Sequence, residues 1–455
     1  MMKKYLLFFM VFFWAHAHAV EFTVTTTEDT IDVNLADGLC ADIHGECSLR
    51  AAIMQSNIWA TDDVIILPRG VSYGLSLDSE IDTQEVNDLD IWDSLTLTIE
   101  NPELPILTLD EMPWIAINID GDVDDRVFEI HAGELITFKG IVIAYGNAAN
   151  SLSNSRKGGG VYVADQVETF RISDSIVALN QAGFGAGIYS LATNTWVDTT
   201  DISYNILTSP SPPLFPVAGA AVYHGGMEMT VNKSSIHNNI LEHIGFFSSA
   251  IYVEGDDSQV NFLNTLIADN GVWPSVSSGV INGVRVNQAD TRFNNSNITG
   301  NSGVGIQFNS DDAHTLTIRN TVLAFNVLGN CDEFTGVQDF GEALNPAHII
   351  SSDTSCSLPE FSRNLEDVDP MLSPIEGRFE VIGFEFFSIQ FPETGSVLID
   401  AGSTIEPGSV NVSACEATDI RGVLRPIQGG LFNFCDVGIY ESGDLIFKTG
   451  FELID

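Results

Sequence analysis

Gly158-Gly159-Gly160-Val161-Tyr162 is the stretch that decides the fold, because it returns along the chain in altered form. It comes back as Gly185-Ala186-Gly187-Ile188-Tyr189, as Gly219-Ala220-Ala221-Val222-Tyr223 and as Ser248-Ser249-Ala250-Ile251-Tyr252. A second element alternates with it, an apolar residue three positions before an asparagine. That element ends at Asn180, Asn205, Asn239, Asn270, Asn301 and Asn326, at spacings of 25, 34, 31, 31 and 25 residues. Short β-rich runs repeating at this length are the mark of a solenoid, in which each coil buries its apolar face against its neighbours.

Working outward, residues 60–147 carry further short strands, such as Val64-Ile65-Ile66-Leu67 and Ile136 to Ile143, separated by turn residues and never by a clear helix. Runs such as Gln259 to Leu266 and His314 to Leu323 alternate apolar and polar residues, as half-buried strands do. The predicted fold class is all-β: a right-handed parallel β-helix of about ten to twelve coils, capped at both ends. Small residues before each Val/Ile-Tyr pair fit tight corners. The asparagines fit a bend, bonding backbone or one another from coil to coil. The four tyrosines align, and stacking between coils is the commoner use of such a ladder than sugar binding.

The expected segments are a signal peptide over 1–19, an N-terminal cap over 20–59, the β-helix over 60–330, a C-terminal region over 331–441 and a tail over 442–455. The leader has a basic start at Lys3-Lys4, an apolar stretch from Tyr5 to Trp14 and small-x-small sites ending at Ala19. In the cap, Ser48 reads as the N-cap of a helix whose apolar face is Leu49, Ala52, Ile53 and Ser56. An open solenoid end exposes unpaired backbone groups, so a cap is required.

Acidic residues number 62 against 18 basic ones, a formal net charge of −44. Repulsion disfavours nucleic acid and anionic lipid as partners. It leaves a solubility or high-salt adaptation, or a calcium-binding surface. The cysteines at 40, 47, 331, 356, 415 and 435 allow 15 connectivities, with a metal site as the competitor. Export favours disulfides, and proximity along the chain points to Cys40–Cys47, Cys331–Cys356 and Cys415–Cys435.

Cys47-Ser48-Leu49-Arg50-Ala51-Ala52-Ile53 resembles the CSLREA motif of bacterial exported β-helix proteins, with Ala51 where that motif has Glu. Asn330-Cys331, Asp369-Pro370, Ile399-Asp400-Ala401-Gly402, Thr418-Asp419-Ile420-Arg421-Gly422 and Cys435-Asp436-Val437-Gly438-Ile439-Tyr440-Glu441 are similar to the choice-of-anchor Q region. The repeats also resemble those of polymorphic outer-membrane proteins. The ending Ile446-Phe447-Lys448-Thr449-Gly450-Phe451-Glu452 resembles one seen in secreted proteins of Gram-negative bacteria. The resemblance implies export to the surface or medium of such a bacterium and a β-helix, without an established activity.

Among candidate chemistry, Asp120, Asp122 and Asp124 alternate as a hard cation prefers, and carry the expectation of calcium; the plain reading is an acidic turn. Asp256-Asp257 and Asp311-Asp312 read the same way. Asp256-Asp257 and His224-Gly225-Gly226 are similar to parts of the polygalacturonase set, in the reverse order and without its Arg-x-Lys. Arg285, Arg292 and Arg319 stand apart in the repeats. His224, His237 and His243 lie near one another in sequence, with solvent-facing or corner positions as the plain reading. Asp419 and Arg421 fit a structural ion pair. The function expected is a non-catalytic surface or extracellular protein acting in adhesion or binding. It would be a monomer without a transmembrane segment, with a glycan or a host or neighbour cell-surface ligand as partner. The alternative is a carbohydrate-active enzyme on the same scaffold.

Overall fold

The computed structural model describes residues 19–58, 61–77, 83–117, 125–149, 156–208, 217–242, 247–271, 279–332, 334–342, 345–360, 363–381, 384–425 and 434–442. The signal-peptide reading and the C-terminal tail therefore lie almost wholly outside the described residues.

Within them the chain winds as a parallel β-helix. A 16-stranded sheet and a 10-stranded sheet enclose the core, and a three-stranded sheet, Gln181–Ala182, Ile206–Leu207 and Ile240–Leu241, forms part of a third side. Register is kept coil after coil. In the ten-stranded sheet Ile143, Val177, Ile202, Ile236, Ile267, Ile298 and Leu323 stand side by side, all fully buried. These are the apolar residues three positions before the asparagines, starting one coil earlier.

The asparagines form a continuous interior ladder. Asn180, Asn205, Asn239 and Asn270 each donate through Nδ2 to the Oδ1 of the next, at 2.9–3.0 Å, and Asn301 reaches Asn326 at 2.8 Å. Each Oδ1 also accepts the backbone N–H of the preceding asparagine. The residue just before each asparagine takes left-handed backbone: Leu179, Tyr204, Asn238, Asp269 and Phe325 have φ of 52–63°, and Gly300 has φ 65°. Such a conformation is costly for side chains other than Gly or Asn, and the buried amide ladder holds it in place.

At the N-terminal end, helix Leu49–Ser56 closes the core, with Ser48 accepting the Ala51 N–H at 3.0 Å. The expectation of one apolar face falls short, because all eight helix residues are buried. Arg50 explains this: it pairs with Asp29 at 2.7 Å and donates to the carbonyls of Asn87 and Asp88. The disulfides are Cys40–Cys47, Cys331–Cys356 and Cys415–Cys435.

The C-terminal region is more than a cap. Cys331, Phe340, Ile349, Cys356 and Leu358 join the main core and close its end. Beyond them the chain runs back along the outer face of the ten-stranded sheet. Leu398 and Val437 cover Val322 and Ala324, Ile420 and Ile439 cover Leu266 and Ala268, and Phe386 covers Val142 and Ile176. The strands beneath, such as Ile176–Ala178 and Leu266–Ala268, are buried at every position. They lack apolar–polar alternation because both faces are covered. Asp419 pairs with Arg421 at 2.5 Å, and the Arg421 guanidinium lies 3.5 Å from the Tyr440 ring centre, as befits a structural pair.

Candidate functional site

The outer face of the long sheet carries one row of side chains set by strand register. It runs Asp90, Glu129, Tyr162, Tyr189, Tyr223, Tyr252, Arg285, Gln307, Asp332. The row is acidic at the N-terminal coils, aromatic in the middle, and cationic where Arg285 lies 5.8 Å from the Tyr252 ring centre.

The four tyrosines align as expected, and they stack on one another. Ring centres are 5.5, 4.5 and 5.4 Å apart, with planes inclined by only 10, 14 and 22°. Each ring therefore covers its neighbour's face, and what the row turns outward is edges and hydroxyls. The Tyr223 hydroxyl donates to Glu254 at 2.5 Å, and Asn287 donates to the Tyr252 hydroxyl at 2.6 Å. Burial pushes the Tyr189 phenol up to about 12; burial and then the Glu254 bond raise Tyr223 as well. These hydroxyls stay protonated through the physiological range.

The chemistry gathers at the acidic end. Trp92 lies flat on His131, ring centres 3.8 Å apart and planes 9° apart, and remains 52% exposed. His131 Nε2 is 2.5 Å from Asp90 Oδ1, and its Nδ1 is 3.8 Å from Glu129 Oε1. One ligand atom each from Asp90, Glu129 and His131 lies within 4.8 Å of the others. Behind them the buried Arg126 bonds to Glu129 and lies 3.8 Å from Asp88 and 3.7 Å from Asp125. Arg50 holds the Asn87–Asp88 backbone, so the cap helix positions the strand that presents Asp90.

Asp120, Asp122 and Asp124 lie outside the described residues, and so does His243. His224 and His237 each end a strand, as the corner alternative has it, but both are fully buried, which corrects the solvent-facing one, and they lie on different sheets. Burial pushes His224 down to about 4. His237 meets Asp201 at 3.0 Å beneath the C-terminal segment. Asp311 is an exposed turn residue capping the Ala313 N–H at 3.0 Å. Neither Arg292 nor Arg319 is isolated: they pair with Glu416 at 3.4 Å and Asp339 at 2.7 Å.

Asp90, Trp92, Arg126, Glu129 and His131 escaped the sequence reading. A signal was present: Leu89-Asp90-Ile91-Trp92 and Phe128-Glu129-Ile130-His131 share an apolar–acid–apolar–ring pattern. In a strand that pattern turns the acid and the ring outward on the same face. Outside the characterised period, the two tetrapeptides could be aligned only once the coils were known.

No curated protein matches the sequence. The model for the right handed beta helix region matches residues 139–322. A solved structure titled as pectate lyase Pel9A is similar over 94% of this chain and 98% of that chain, at 12% identity and a TM-score of 0.50. At that identity the likeness bears on fold alone. No helix among the described residues is long and apolar enough to cross a membrane. The fold is a right-handed parallel β-helix, with strands in register on three sides and its disulfides near the two ends.

Proposed function

We propose that this is an exported surface or extracellular protein that binds an extended glycan along the open face of the long sheet. The observation that carries the reading is Trp92, a half-exposed indole held flat by His131 beside two carboxylates. An aromatic face fixed in orientation next to hydrogen-bonding groups suits a sugar ring, which is apolar on its faces and hydroxylated at its rim. The tyrosine row continues from this point with edges and hydroxyls, a polar track for further residues of the polymer. With a net charge of −44, the reading favours a neutral glycan over an acidic one. A panel of immobilised glycans is the test. Retention of a neutral polysaccharide that is lost in Trp92→Ala supports the reading, and equal retention by the variant refutes it.

Cleavage of the same polymer is a second reading. Asp90 and Glu129 approach within 4.8 Å, close to the spacing of about 5–5.5 Å between carboxyl groups of retaining glycosidases. Release of reducing ends from any bound glycan, abolished by Asp90→Asn, would favour it.

A further inference from the structure

We propose that Asp90, Glu129 and His131 form a binding site for a divalent transition-metal ion of the zinc class. The proposal does not depend on glycan binding. The first argument is geometric. The three ligand atoms lie within 4.8 Å of one another, and they come from adjacent coils whose register is fixed by the pairing of Leu89–Ile91 with Phe128–Ile130. The 3.8 Å between His131 Nδ1 and Glu129 Oε1 is too long for a hydrogen bond. It is near the span of about 3–4 Å between two ligands that each sit about 2.0–2.2 Å from one ion. Asp90 holds the other ring nitrogen, Nε2, at 2.5 Å, as a carboxylate behind a ligating imidazole does.

The second argument is charge. Asp88, Asp90, Asp125 and Glu129 are all buried. Among the described residues, three of the four pair with one guanidinium, that of Arg126. Clustered carboxylates out of water repel one another, and a dication at the outer pair offsets that repulsion. The third argument is preorganisation. Trp92 fixes the plane of the imidazole, and Arg126 fixes one oxygen of Glu129 while the other turns toward His131. His131 keeps 21% of its side chain exposed on the open face, which gives an entry path.

The donor set selects the metal. An imidazole beside a carboxylate, with a second carboxylate orienting the imidazole, suits zinc, cobalt or manganese, whereas calcium prefers oxygen ligands throughout.

The test is calorimetric titration of the mature protein with zinc alone, with no glycan present. One ion per chain is expected. Asp90→Asn and His131→Gln should each weaken binding at least about tenfold, more than or equal to the usual loss from an outer-shell partner. Both variants leave the Arg126–Glu129 pair in place, and their melting curves check that they fold. Should either fail to fold, cobalt titration of the native protein still decides. A visible absorption band on loading one equivalent is expected, and its displacement by zinc but not by calcium. No saturable stoichiometric binding, zinc affinity unchanged in His131→Gln, or calcium competing on equal terms would each overturn the assignment.

Discussion

The two large sheets share one core yet treat their outer faces in opposite ways. The ten-stranded sheet turns Val142, Ile176, Leu266 and Val322 outward and hides them beneath the C-terminal segment. The long sheet turns Asp90, Glu129, four tyrosines and Arg285 outward, and leaves Trp92 exposed. Inward residues are mainly apolar and buried in both, aliphatic from Ile143 to Leu323 in the ten-stranded sheet and joined by phenylalanines such as Phe170 and Phe262 in the long one. The outward positions therefore decide which side is structural and which can meet a ligand, and the covering segment makes the distinction physical.

If that division is right, damage to the covered side should appear in stability and leave the open face working. The largest effect is expected at Arg425. Its guanidinium is buried beneath the segment, pairs with Glu441 at 3.1 Å and donates to the Gly438 carbonyl at 2.8 Å. Arg425→Ala removes the buried guanidinium that faces the Glu441 carboxylate, at about 3–5 kcal/mol. A melting curve little changed would break the comparison; so would glycan retention lost at a temperature where the variant is folded.

Asn239→Ala acts on the core that both faces share. It removes the acceptor of two donors on Asn205, and it strips the Nδ2 donor from Asn270, which keeps the backbone N–H of residue 239. The expected cost is about 1–3 kcal/mol for each buried group left unsatisfied, with partial relaxation. Chemical denaturation measures it, and an unchanged midpoint would mean the ladder contributes nothing to the fold.

His237 sharpens the comparison through pH. Burial alone would depress its imidazole, but the charge and hydrogen bond of Asp201, with Asn238 and Asp269 behind, hold it above the usual range. A raised folded value means the stabilisation is complete below the unfolded value of about 6.5 and is lost as pH rises through the folded one. Asp201 also accepts the Phe387 N–H at 2.6 Å, so the loss falls on the covering segment. Exchange of the Phe387 amide should accelerate on going from acid to mild alkali, beyond the intrinsic rate, and His237→Gln should flatten that dependence. An unaltered dependence in the variant would remove His237 from the account.

Trp92→Ala is expected to do least to the fold and most to the open face. The residue is half exposed, so the stability change should stay within about 1 kcal/mol by area burial. A larger fall in melting temperature would place Trp92 with the structural residues.

The solenoid was legible because its signals are local and repeated: Ile236 three before Asn239 means the same as Ile267 three before Asn270. The pairing Cys40–Cys47 was likewise near in sequence. The site was much less legible. Asp90 and His131 are 41 residues apart, and they meet only through register in coils where the small-residue and asparagine signals have not yet begun. The folding back of the C-terminal segment was missed for a related reason. Its contacts, such as Arg425 with Asn264 across 161 residues, carry no period.

The asparagine ladder also has a direction, since each side-chain amide gives one hydrogen to the next asparagine toward the C-terminus and the other to a carbonyl of the preceding coil. It has defined ends. The Gly146 N–H donates into Asn180 without a side chain to carry the series further. Asn330 accepts from Asn326 and turns its own donors aside to the Leu323 carbonyl and Ser351. Between those stops coils of 25, 34 and 31 residues continue the same ladder, because each coil returns one asparagine to the same place whatever its loops add. The loops can therefore vary in length while the interior amide row stays unbroken, and the rod is measured in whole coils.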